Sequence, residues 1–178
     1  QVALAGNHTG GAIAIQIAAA APERVLALIV TGALLFTAEE IEDRLQNYLV
    51  PFNISQDGTH LTWLWERLQR GCGPNTPPEL IHFFATEFLK SGTRYDWAFK
   101  AAYEFDTKSV LPKLNCPTLF LVSQGDRLCD KNERAVKLTP QSEGIVIDSP
   151  HGQLSARNPE AFAKETLAFL ERVGCLHT

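Results

Sequence analysis

The stretch that decides the fold is Val2-Ala3-Leu4-Ala5-Gly6-Asn7-His8-Thr9-Gly10-Gly11, followed by a small, apolar run to residue 21 and by Pro22. Residues 2–5 read as a short apolar strand and residues 10–21 as a buried helix that Pro22 ends. Between them three glycines leave almost no side-chain volume, so the chain can reverse sharply from strand into helix. The residue at the centre of such a turn is held in a strained conformation at the helix N-terminus, its side chain lifted above the sheet. Gly6, Gly10 and Gly11 make His8 that residue. Placing Thr9 at the centre would put Asn7 where a glycine normally stands.

Outward from this turn, residues 25–30 form a continuous β-branched and Leu-rich run, the pattern of a strand buried on both faces. Similar runs follow at 118–122, after Pro117, and at 145–147, before Ser149-Pro150-His151-Gly152. A last helix is announced by Asn158 as N-cap with Pro159 at its first position. Strands alternating with helices predict an α/β fold, a mostly parallel sheet with helices on both faces. The segment 33–112 differs. It has no convincing strand, and it holds thirteen of the sixteen aromatic residues. Thr37-Ala38-Glu39-Glu40 and Thr76-Pro77-Pro78-Glu79 both carry the spacing of a capping box. The helix from the second box is expected to stop at Gly92, and further helices are expected over 60–68 and 95–105. The expected organisation is a core over 1–32, a helical cap over 33–112 and a second core part over 113–178. Most of the aromatics must pack the cap, and some are candidates for an apolar ligand pocket.

Composition excludes several classes. In 178 residues, 45 % hydrophobic and 20 % charged, the formal net charge is −4. That leaves no basic footprint for nucleic acid and no polybasic patch for a lipid surface. No apolar run approaches the roughly 20 residues of a spanning helix. Cys72, Cys116, Cys129 and Cys175 are scattered without C-x-x-C spacing and read as free thiols of a reducing, cytoplasmic compartment. There is no methionine, so Gln1 is not a translation start, and the sequence is expected to be part of a longer protein.

Three segments together resemble the α/β-hydrolase superfamily, from its nucleophile-elbow strand onward. Residues 2–11 with Ala21-Pro22-Glu23-Arg24-Val25 are similar to its elbow region. The stretch 116–126, ending in Gln124-Gly125-Asp126, is similar to the strand and loop that deliver its acid. Ser149-Pro150-His151-Gly152 with Asn158-Pro159-Glu160 is similar to its histidine loop and last helix. The resemblance implies an α/β-hydrolase fold whose N-terminal strands are absent from this chain, with segment 33–112 as the cap. It differs in having His8 where the family has a nucleophilic Ser, and in His151 standing one residue from the usual spacing, with Gly152 at the family's position.

The resemblance implies His8, Asp126 and His151 as catalytic residues. The Thr9 N–H would serve an oxyanion or enolate, and His60 and Trp63 of the cap would contact substrate. His82 and His177 carry no expected role. Converging, the three could run acid–base chemistry with Asp126 fixing the tautomer of His151, or His151 could activate water directly. A two-histidine, one-carboxylate metal site is a third arrangement, though no metal and no organic cofactor is expected. The function expected is hydrolysis or lyase-type chemistry on an apolar small molecule without a seryl intermediate. The alternative is a catalytically silent, ligand-binding pseudo-hydrolase. Nucleic acid and membrane are not expected as partners, and a homodimer is the one assembly considered.

Overall fold

The run Val25-Leu26-Ala27-Leu28-Ile29-Val30-Thr31 carries no charge and five large or β-branched apolar groups, so it is stable only where both of its faces are covered. In the computed structural model, which describes residues 1–73 and 75–176 and so leaves His177 outside, it is a central strand. The elements in chain order are β1 (Val2–Asn7), α1 (Thr9–Ala20), β2 (Val25–Thr31), α2 (Ala38–Asp43), α3 (Thr59–Cys72), α4 (Pro78–Ser91) and α5 (Tyr95–Glu104). After these come α6 (Thr107–Val110), β3 (Thr118–Ser123), α7 (Asn132–Leu138), β4 (Ser142–Ile147), α8 (Leu154–Arg157) and α9 (Pro159–Arg172). Gln1–Phe36 and Ala102–Thr178 make one compact unit; Thr37–Ala101 makes another. The second unit lies inside the 33–112 segment marked out by its aromatics, and its C-terminal join falls within α5.

In the first unit the sheet order is β1-β2-β3-β4 and every pairing is parallel. Successive side chains of a strand point to opposite faces, and the two faces have separate cores. Leu28, Val30 and Phe120 pack with Ile15 and Ala18 of α1 and with Leu111. Ala27, Ile29, Leu119 and Leu121 pack with Leu154 of α8 and Phe169 of α9. Phe120, fully buried, is the largest of these; burying a side chain of that size stabilises by about 1.5–3 kcal/mol. As the sequence predicts, Asn158 caps α9, its Oδ1 accepting from the Ala161 N–H at 3.3 Å.

The second unit is helical, and its aromatics form its core. Phe52, Leu64 and Tyr95 are buried together, flanked by Trp63, Phe88 and Phe99. The Phe88 and Tyr95 rings lie 4.5 Å apart, and the Arg67 guanidinium sits 4.7 Å over Tyr48. The Thr37 capping box forms in full. The expected box at Thr76 does not. Pro77 is extended because a proline follows it, so α4 starts at Pro78, and Thr76 Oγ1 donates instead to the carbonyls of Cys72 and Gly73.

All four cysteines are free. Among the described residues no helix is long and apolar enough to cross a membrane.

Candidate active site

β1 ends at Asn7 and α1 begins at Thr9, leaving His8 as the whole of the connection. Its backbone has φ 47° and ψ −111°, outside the regions an L-residue prefers, which costs about 1–3 kcal/mol. The surroundings enforce it. The His8 N–H donates to the Thr31 carbonyl at 2.8 Å, and the His8 carbonyl accepts from the Ala12 N–H at 3.1 Å. A Cβ on Gly6 would stand 2.3 Å from the Gly10 carbonyl oxygen, so only glycine lets the helix start this close to the strand. Gly10, by contrast, has open space beside it, and sterics do not require it.

The imidazole reaches the acid loop. His8 Nε2 lies 2.8 Å from Asp126 Oδ2, and the two side chains are 30 % and 5 % exposed. Gly32 makes room for the ring: a Cβ there would come within 2.4 Å of His8 Cδ2 and 2.7 Å of Nε2. The carboxylate also accepts from the Leu128 N–H at 2.9 Å and from the Gln153 backbone N–H. Burial alone would raise the Asp126 pKa. The hydrogen bond and charge of His8, with the two backbone donors, outweigh it and hold the carboxyl below its ordinary value. An ionised Asp126 fixes the proton of a neutral His8 ring on Nε2 and leaves the Nδ1 lone pair as the acceptor.

Asp126 does not bond to His151, and the expected convergence of three side chains is reduced to two. The loop after β4 is pinned to the acid loop by its backbone: Ser123 Oγ donates to the His151 carbonyl at 2.6 Å, and Gly125 packs directly on Pro150 and His151. This seats Gly152 over the carboxylate, where a Cβ would lie 3.6 Å from Asp126 Oδ2. His151 is displaced by one residue, with Nδ1 buried and unpartnered. The His8–Asp126–His151 metal arrangement is likewise not formed; among the described residues no cluster of three or more His, Cys, Asp or Glu is placed to hold an ion. Thr9 is the first residue of α1, where backbone N–H groups have no acceptor within the helix and the helix dipole is positive. His60 and Trp63 belong to the second unit. His60 Nδ1 accepts the Ser55 N–H at 3.2 Å, and Trp63 packs 5.6 Å from Phe52. With Ser55 and Phe52 they line a cavity of about 270 Å³.

Sequence reading missed two residues here, Gly32 and Gln153. A glycine directly after a buried strand was the available sign for the first; the second carried none.

A membrane phospholipase A described as a bacterial virulence factor matches with TM-score 0.74 and 24 % identity, over 99 % of this chain and 58 % of its own. A thermophilic esterase from Thermogutta terrifontis also gives 0.74 and 24 %, over 97 % and 65 %. MenH from S. aureus gives 0.72 and 19 %, over 98 % and 69 %. The fold is that of the α/β-hydrolases. The chain spans less than two thirds of the length of the first two α/β-hydrolase structures. No protein-family model and no curated protein sequence matches it.

Proposed function

We propose that the protein hydrolyses an ester or similarly activated acyl bond in a small apolar molecule, with Asp126 and His8 acting as a general-base dyad on water. The observation that carries this reading is the 2.8 Å contact of His8 Nε2 with Asp126 Oδ2 from a strained turn at the N-terminus of α1. The fold shared with an esterase and a phospholipase supports hydrolysis. No hydroxyl stands at the centre of the turn, so a seryl ester has no residue on which to form there. In the proposed cycle His8 Nδ1 takes a proton from water while the oxygen bonds to the acyl carbon. The oxyanion faces the Thr9 N–H. The intermediate collapses, the carbon–alkoxide bond breaks, and the alkoxide takes the proton back from Nδ1. Asp126 stabilises the transient imidazolium through Nε2–H.

The test is turnover of a p-nitrophenyl ester by the purified protein and its variants. His8→Ala and Asp126→Asn are each expected to lower kcat/KM by about a hundredfold or more, the usual worth of a positioned base. Mass spectrometry of the protein during turnover should show no acyl adduct. Full activity in His8→Ala ends this reading.

A further inference from the structure

The dyad joins two loops that are far apart in sequence, and one residue touches both. Gln153 lies next to the residue over Asp126 and has left-handed backbone angles, φ 59° and ψ 51°, an unusual state for a long side chain. Its backbone N–H donates to the Asp126 carboxylate. Its side-chain Oε1 accepts from Asn7 Nδ2 at 3.4 Å, and Asn7 is the residue immediately before His8. Asn7 is held in turn: its Oδ1 accepts from the hydroxyl of buried Thr31 at 2.7 Å. Thr31 also fixes the turn through its carbonyl, which takes the His8 N–H at 2.8 Å. A closed ring of hydrogen bonds therefore runs from Thr31 to Asn7, Gln153, Asp126 and His8, and back to Thr31.

From this ring we infer that Gln153 and Asn7 are the positioning residues of the dyad. Gln153 sets the height of the carboxylate through its main chain and the entry of the imidazole through its side chain. The strained angles at residues 8 and 153 are the two places where the ring is under load, and each is held by partners on both sides. A glycine at 153 would adopt the same backbone more readily but could not reach Asn7, so the glutamine side chain is the part the ring uses. The assignment of a task to this ring rests on the function proposed above. The ring's effect on the His8 proton can be read without turnover.

The experiment is a double-mutant cycle of Asn7→Ala and Gln153→Ala, with Gln153→Glu as the conservative variant that keeps an acceptor oxygen towards Asn7. Two readouts are taken, kcat/KM on a p-nitrophenyl ester and the ¹⁵N shifts of the His8 ring. Each alanine variant should lower kcat by about tenfold or more with KM little changed, as misplacement of a reacting group does. The double variant should be no worse than the poorer single, the sign of one shared contact. The ring shifts should move from a single Nε2–H tautomer to a mixture in both alanine variants and stay single in Gln153→Glu. Additive losses, or His8 shifts unchanged by both alanine variants, overturn the inference. If His8→Ala itself keeps full activity the proposed reaction fails, and the ring shifts alone then decide whether the clamp exists.

Discussion

At the scale of single residues, the site is a strained histidine held in place by a glycine and a carboxylate. Gly32 is the sharper test of that packing. It has φ +67°, and an added Cβ would meet the imidazole at 2.4 Å. Gly32→Ala should therefore push His8 off Asp126 and lower turnover nearly as far as His8→Ala does, while the two cores persist. A variant with wild-type turnover would mean the ring does not depend on this seat. The carboxylate makes a pH prediction. Because the folded Asp126 pKa lies below its unfolded value of about 3.9, its contribution to stability is complete above that value and is lost as pH falls through the folded pKa. Urea midpoints measured from pH 6 to pH 3 should fall less steeply for Asp126→Asn than for the wild type; parallel slopes would refute the shift. Both residues of the pair were legible in the sequence, His8 from the glycines around it and Asp126 through the resemblance of residues 116–126 to an acid-bearing loop. Their pairing was not, because it turns on a one-residue register in the 149–153 loop. That register is fixed by the packing of Gly125 on Pro150, a contact 25 residues away in sequence.

Whole elements were legible where a local rule acts alone. The β2 and β3 runs and the Asn158-Pro159 start of α9 each follow from side-chain chemistry within a few residues, and each is present. The two Thr-x-x-Glu boxes separate the rule from its exception. Thr37 closes on Glu40 in both directions, with Oγ1 accepting the Glu40 N–H at 3.2 Å and the Glu40 carboxylate accepting the Thr37 N–H at 2.8 Å. At Thr76 the same spacing is interrupted by two prolines, and the hydroxyl turns back to the end of α3 instead. Thr37→Ala should destabilise the start of α2 by about 1 kcal/mol, seen as faster hydrogen exchange of the amides at 39–41. Thr76→Ala should leave exchange in the first turn of α4 unchanged and speed it at the end of α3. Acceleration at 79–81 in that variant would restore the box that the prolines are argued to break.

For the molecule as a whole, the two edges of the sheet differ in kind. Edge strands are usually blunted by charge, proline or a cover. β4 follows that rule: Glu143 stands on it and pairs with Arg172 of α9. β1 does not. No Asp, Glu, Lys or Arg occurs before Glu23, Val2 is 53 % exposed, and α1 presents Ile13 and Ile17 outward while Ile15 and Ala18 face the core. Residues 13 and 17, four apart, share one face of the helix, so an uncharged edge and an uncharged helix face are both exposed. An edge of this kind pairs with whatever strand it meets, in the same protein or in a second copy. The chain of residues 1–178 produced by itself should therefore associate as its concentration rises, with sedimentation coefficients climbing above the monomer value. Val2→Lys with Ile13→Lys should return it to the monomer, because a charge on the edge and one on the helix face must both be desolvated for strands to pair. The Glu143 edge supplies the control. Glu143→Ala removes its charge without creating apolar bulk, and association through β1 should be unaffected by it. If the double lysine variant associates as strongly as the wild type, β1 is not the adhesive edge and the exposed apolar groups of the helical unit become the surface to test.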